Sequence, residues 1–297
     1  MKFILFPFVL TCAVAAHGQP TVSFTFDDGV THDRSGYAFE DWNQMILDAL
    51  AKHDLKAAFF VTGFNKSDEK GKYLLNSWDG AGHLIANHTF THPNFNSANI
   101  GLAEFQEELL GTDTLINQLR NYTKLFRFPY LKEGETAEEV EAIRAHLASE
   151  GYRNGYVTID ASDWYIDSRL RTRLSEDHNA DLSGFRDYYL AHLLDRATYY
   201  EELAFDLTGR HIKHTLLLHQ NLTAAFFLDD LIEMFKAEGW VVVSAEEAYE
   251  DEVFEQVPTH GGESLIWALA KDRGTYELRY PAEDSRYEED RMNELGL

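Results

Sequence analysis

Two carboxylates stand side by side in Thr25-Phe26-Asp27-Asp28-Gly29, and further along His88-Thr89-Phe90-Thr91-His92-Pro93 supplies two imidazoles four positions apart. Neighbouring residues at a strand end point in different directions, so one carboxylate can hold a cation while the other faces a substrate. Two imidazoles at this spacing can share a metal if the segment makes a helical turn or tight loop, and Pro93 discourages helix at His92. With one Asp they give two neutral nitrogens and one oxygen, leaving positions for water and substrate, which outlines a catalytic metal site. Each piece alone has a plainer reading. Asp-Asp-Gly is an ordinary turn, and paired histidines also occur in cores and on solvated faces.

Three later segments carry polar residues next to apolar runs. Arg127-Phe128-Pro129-Tyr130 offers a charge-assisted partner for a carboxylate and a rigid turn able to aim a backbone N–H. Asp160-Ala161-Ser162-Asp163-Trp164 offers a carboxylate to orient an imidazole and a Trp to wall it. Leu216-Leu217-Leu218-His219 ends an apolar run on a single histidine, a pattern that alone reads as a core histidine.

Something must bring these segments together. From residue 21, short β-branched and aromatic runs alternate with longer amphipathic stretches, as in βα units around a parallel sheet or barrel. The expected strands are 21–26, 56–62, 83–87, 124–128, 155–159, 215–218 and 241–244. Between them Trp42, Met45, Ile46, Ala49 and Leu50 recur at helical spacing, as do Phe105, Leu109, Leu115, Ile116 and Leu119. This order predicts an α/β fold, a distorted and incomplete (β/α) barrel, with the polar segments at strand ends where barrel chemistry gathers. The charged, Tyr-rich stretch 165–214 reads as an insertion, a loop followed by an extra helix beside the active face. Tyr188, Tyr189, Tyr199 and Tyr200 on it are candidates for a sugar-stacking wall. Residues 251–297 read as an extension wrapped over the barrel.

Together and in this order, TFDDG, HTFTH followed by Pro, RFPY, DASDW and LLLH resemble the five motifs of the polysaccharide deacetylases of carbohydrate esterase family 4, the NodB-type fold, over roughly residues 21 to 220. The resemblance implies a distorted (β/α) barrel and a metal-dependent hydrolase that removes acetyl groups from a polysaccharide or oligosaccharide, most simply of N-acetylglucosamine type. By position it makes Asp28, His88 and His92 metal ligands, Asp27 the catalytic base and Arg127 the residue that orients it. It gives Tyr130 the oxyanion N–H and a place in substrate binding, pairs Asp160 with a His219 acid, and makes Trp164 the packing aromatic beside the substrate. The metal expected is zinc, with cobalt, nickel, manganese and iron compatible with the same ligands. The chain departs from the pattern at Leu131-Lys132-Glu133-Gly134, where many members have Gly directly after the tyrosine. Two other functions fit parts of this reading: hydrolysis of a non-sugar C–N bond on the same fold, and a catalytically silent glycan-binding module.

Composition narrows the partners. The chain has 297 residues, with 26 Lys plus Arg against 50 Asp plus Glu and a formal charge of −24. Such a charge opposes nucleic acid and anionic membrane surfaces and suits a neutral or cationic substrate, with which the acetylated glycan implied by the resemblance is compatible. Lys2 precedes an apolar run from Phe3 to Ala16 with small residues beyond, which reads as a signal peptide over 1–18, too short for a bilayer span. The expected division is therefore a leader at 1–18, a catalytic domain at 19–250 and the extension at 251–297, in a secreted or periplasmic, bacterial protein. Cys12 is the only cysteine; it is a poor match to a lipidation site, and if it leaves with the leader, metal binding falls to nitrogen and oxygen ligands. Of the Asn-x-Ser/Thr sites at Asn65, Asn87, Asn121 and Asn221, the one at Asn87 would place a glycan against a candidate ligand.

Overall fold

The computed structural model describes residues 18–274, 276–282 and 286–297. The leader, apart from Gly18, and Cys12 lie outside the described residues.

Alternation within the first strand sets up the architecture. In β1 (Thr21–Asp28) Val22, Phe24 and Phe26 point outward to helices, where Phe24 meets Phe235 and Phe26 meets Trp78 edge-on. Ser23, Thr25 and Asp27 point into the barrel, and the Ser23 and Thr25 hydroxyls donate to the carbonyls of His214 and Leu216. The inner face is thus polar where the outer face is apolar, as a strand's two-residue period requires.

Around β1 lie β2 (Ala58–Val61), β3 (Leu84–Asn87), β4 (Tyr122–Phe126), β5 (Arg153–Asn154), β6 (Lys213–His219) and β7 (Val241–Val242). All pairings among them are parallel, in the order β5-β4-β3-β2-β1-β6, with β7 paired to the start of β1. The main helices are α1 (Phe39–Lys52), α2 (Glu69–Gly80), α3 (Leu102–Ile116), α4 (Ala137–Ser149), α5 (Asp163–Glu176), α6 (Ser183–Thr208) and α7 (Leu222–Ala237). They cover the outside of the curled sheet, giving the distorted (β/α) barrel that the order of elements predicts. Trp42, Ile46 and Leu50 of α1 are fully buried on the core side, whereas Met45 is exposed. Asp68, Thr136 and Asn221 cap α2, α4 and α7 by accepting from the backbone N–H three residues on, contacts each contributing about 1 kcal/mol.

The strand expected at 155–159 is divided. Arg153–Asn154 pairs with β4, and Ile159 then bridges to Leu216 of β6. Thr158 and Ile159 donate to the Thr215 carbonyl, and Leu217 donates to that of Ile159. One stretch therefore crosses the gap between the two sheet edges and closes the barrel. Gly155 lies at the crossing because a Cβ there would sit 2.3 Å from the Phe60 ring.

The insertion also differs from expectation. It has no long loop: α5 begins at Asp163 itself, and the 26-residue α6 follows after a short turn. Tyr189 and Tyr200 are fully buried, and Tyr188 and Tyr199 are half-buried against neighbours. These rings are core and scaffold, so they do not form a sugar-stacking wall. After the short α8 (Ala245–Ala248), the segment beyond residue 250 includes α9 (Leu265–Arg273) and α10 (Glu289–Leu295) and packs on the barrel and on α6. Among the described residues no helix is long and apolar enough to cross a membrane.

Candidate active site

Three carboxylate and imidazole ligand atoms, from Asp28, His88 and His92, lie within 4.8 Å of one another at the C-terminal end of the strands. Asp28 Oδ1 is 3.5 Å from His92 Nε2 and 3.9 Å from His88 Nε2. His88 Nδ1 is 2.8 Å from the Arg127 carbonyl oxygen, which makes Nδ1 the protonated nitrogen and leaves Nε2 as a lone-pair donor. Two nitrogens and one oxygen, with a backbone carbonyl fixing one ring, fit a divalent cation of the zinc type. Burial, then the neighbouring His92, holds the His88 pKa well below its ordinary value; burial lowers that of His92 as well. Both are therefore neutral, as ligands must be. Burial by itself would raise the Asp28 carboxyl, but the imidazoles of His219, His92 and His88 bring it below the usual carboxylate value.

The backbone pays for this convergence with unusual dihedrals. Asp28, Thr89, His92, Tyr130 and Leu131 have φ between 56° and 82°, a region non-glycine residues seldom adopt. Helix α3 holds the histidine loop in place. Glu108 accepts from the N–H groups of Phe90 and Thr91 and from the Thr91 hydroxyl, and Thr112 donates to the Thr89 carbonyl. Glu108 and Thr112 were not among the residues the sequence singled out; an acidic residue on a helix face gives no signal of its target. Asn87, just before His88, is fully buried and bonds to the Leu109 carbonyl, Tyr152 and Thr89, so no glycan can be attached there.

Asp27 points inward. Arg127 Nη1 donates to its Oδ1 at 2.6 Å and to the Thr25 hydroxyl at 2.9 Å. The guanidinium is further fixed by the Gly155 carbonyl, by the Tyr249 hydroxyl and by the Phe60 ring 3.8 Å away. Burial pushes the Asp27 carboxyl up to about 6, against the lowering pull of Arg127 and then His219. A carboxylate poised there suits a general base working near neutrality. Tyr249 and Phe60, which complete the cage around Arg127, were not anticipated.

Beside Asp27, paired in register with it across the β1–β6 ladder, stands His219. Its partner is Asp163, not Asp160. His219 Nδ1 is 2.7 Å from Asp163 Oδ1, and the His219 N–H donates to Asp163 Oδ2 at 2.8 Å. Asp160 is turned elsewhere: its Oδ2 accepts from the Ala282 N–H at 2.6 Å, its carbonyl accepts from Arg196, and the Arg196 guanidinium lies 3.8 Å from that carboxylate. The reason is the early start of α5, whose first residue, Asp163, is carried beneath the imidazole. Asp160 ends the closing strand on the side facing α6 and the extension.

These groups line a cavity of about 350 Å³ together with Phe128, Tyr130, Leu131, Trp164 and Leu217. The Tyr130 ring is 4.7 Å from that of His92, and Tyr130 is exposed at the rim. Trp164 forms part of the cavity wall. The cavity has a corner of three candidate metal ligands, a buried carboxylate, an imidazole on the neighbouring strand and an apolar side of Leu131, Trp164 and Leu217.

Comparison with known proteins bears on the fold and the class of protein. Residues 15–148 match the family model described as polysaccharide deacetylase. Among curated proteins the chain is 33% identical over 115 residues to a peptidoglycan-N-acetylglucosamine deacetylase of Bacillus cereus, covering 38% of each chain. It is 27% identical over 180 residues to the peptidoglycan-N-acetylmuramic acid deacetylase PdaA of Bacillus subtilis, covering 60% of this chain and 62% of that one. The chain thus spans less than two thirds of the length of these relatives. The solved chitin deacetylase of Colletotrichum lindemuthianum shares the fold, with a TM-score of 0.52 at 19% identity over 77% of this chain and 88% of that one. The chain is thus similar to polysaccharide deacetylases over residues 15–148, and it shares its fold with solved members of that group.

Proposed function

We propose that the chain is a metal-dependent hydrolase that removes acetyl groups from a polysaccharide or oligosaccharide of N-acetylglucosamine type, acting after export from a bacterial cell. The observation that carries this reading is one cavity lined by Asp28, His88 and His92 together with Asp27, held by Arg127, and His219, held by Asp163. When bound to those three residues, a divalent ion, zinc being the simplest choice, supplies Lewis-acid polarisation of a water and of the acetyl carbonyl.

The protein's own groups do the rest. Asp27 accepts the water proton on Oδ2, the oxygen that Arg127 does not engage. The Tyr130 N–H donates to the carbonyl oxygen as it becomes negative; donors of this kind are each worth about 3 kcal/mol of barrier. His219, with Nδ1 held by Asp163, delivers a proton from Nε2 to the departing sugar nitrogen or oxygen. Leu131, Trp164 and Leu217 offer the apolar surface a methyl group needs, and Trp164 and the exposed Tyr130 suit the face of a pyranose ring.

Acetate release by the metal-reconstituted full chain, measured on chitooligosaccharides, peptidoglycan and acetylated xylan, tests the proposal. The expected result is release from N-acetylglucosamine oligomers that stops with chelator and returns with zinc. Absence of release from every glycan would overturn it.

A further inference from the structure

The sequence departs from the family pattern just after Tyr130, and there the C-terminal extension touches the site. Tyr130 and Leu131 are consecutive residues with φ of 56° and 58°, a left-handed turn carried by two bulky side chains. Such a turn does not hold itself, because each residue is crowded by its own Cβ. Its internal bonds are the Leu131 and Lys132 N–H groups donating to the carbonyls of Phe128 and Pro129.

The remaining support comes from residues 258–265. Lys132 Nζ lies 2.6 Å from Glu263 Oε1, and both side chains are only about one-sixth exposed. Glu263 is itself in the left-handed region, with φ of 63°, so the extension holds strain to present this carboxylate. The buried Glu133 is bonded by Arg144 at 2.7 Å and by the Gly262 N–H, while Arg144 also donates to the Pro258 carbonyl. The strands of chain are too close for side chains between them. A Cβ on Gly262 would lie 3.2 Å from the Leu131 carbonyl oxygen, and one on Gly261 would lie 2.6 Å from Val140. The Leu265 N–H, donating to the Val157 carbonyl, ties the whole segment to the stretch that closes the barrel.

We infer that the C-terminal extension, through the Lys132–Glu263 ion pair, holds the Tyr130–Leu131 turn in the conformation that aims the Tyr130 N–H, making Lys132 and Glu263 positioning residues for acetyl transfer to water. The inference rests on the deacetylase reading, deepens it, and assigns work to a region beyond the matched residues 15–148. Leu131 lines the cavity while Lys132 and Glu263 do not, so the pair acts on the reaction through the turn alone.

Glu263→Gln, Lys132→Met and Lys132→Arg in the full chain test it by two routes. Amide hydrogen exchange at residues 130–132, measured without substrate, should accelerate at least tenfold in Glu263→Gln and Lys132→Met and stay near wild type in Lys132→Arg. With the chitooligosaccharide substrate, the first two should lose kcat by roughly ten- to a hundredfold with KM within about twofold and metal content unchanged, and Lys132→Arg should retain most of kcat. Unchanged exchange at 130–132, or kcat within twofold of wild type in both charge-removing variants, would overturn the inference. Since the exchange measurement needs no turnover, an inactive wild-type chain would count against the deacetylase reading alone.

Discussion

Asp163 grips His219 twice, through the ring Nδ1 at 2.7 Å and through the backbone N–H at 2.8 Å, while itself fully buried and bonded to Asn221. Asp160, three residues earlier, anchors Ala282 and Arg196 instead. Asp163→Asn is therefore expected to lower kcat on the order of a hundredfold, the scale of a misplaced general acid, with little change in urea midpoint. Asp160→Asn should do the reverse, costing about 1–3 kcal/mol of stability with kcat within severalfold of wild type. Equal loss of kcat in the two variants would return the role to Asp160.

The adjacent carboxylates separate by metal content. Asp27→Asn should abolish acetate release and keep the metal, since Asp27 faces Arg127 inside the barrel. Asp28→Asn, His88→Ala and His92→Ala should lose metal and activity together while circular dichroism shows the barrel intact. Elemental analysis finding equal occupancy in Asp27→Asn and Asp28→Asn would undo the division of roles.

Activity should decline on the acid side through the ionisation of Asp27. Burial raises its carboxyl to about 6 in the metal-free protein, and a cation beside Asp28 favours the ionised form, so the acid limb of kcat/KM is expected at or below pH 6. A limb well above pH 6 would assign the base to another group.

Acid should also weaken the fold through a histidine remote from the cavity. His83 is buried and accepts the Ala57 N–H on Nδ1; burial and then the charge of Lys56 lower its pKa to about 4. Because the folded value lies below the unfolded one, near 6.5, its contribution is complete above pH 6.5 and is lost as pH falls toward 4, about 3 kcal/mol over that window. Urea unfolding at pH 7.5 and 4.5 should show a smaller difference in His83→Gln than in wild type. The same slope in both would remove His83 from the account.

Much of this site was legible in the chain because strand ends advertise themselves. Asp27, Asp28, His88, Arg127 and His219 stand at or just past the ends of apolar runs, with His92 in the loop after His88; the structure brings all but Arg127 to the lining of one cavity, and Arg127 reaches it through Asp27. What the chain hid were partners chosen by helix phase and by distant contacts. Whether Asp160 or Asp163 meets His219 depends on where α5 starts, and both carboxylates follow the same apolar run. Tyr249, Glu108 and Glu263 act across long sequence separations, through side chains whose direction no local pattern records. The tyrosines of α6 show the opposite error, since a Tyr-rich helix has the same composition whether it stacks on sugar or fills a core.

The pairing of β1 with β6 has a consequence for the order in which function is acquired. Asp28 ends β1 while His88 and His92 follow β3, with β2 between them, and the groups that fix the histidine loop come from α3 and from Arg127 after β4, so the cluster draws only on the first half of the chain. Asp27 and His219 meet only when the first strand is joined by one near the far end of the domain, and loops that long close late and slowly. A chain still folding can therefore gather Asp28, His88 and His92 before His219 stands beside Asp27. On the proposed reading, ion capture and catalytic competence are thus separable steps of folding.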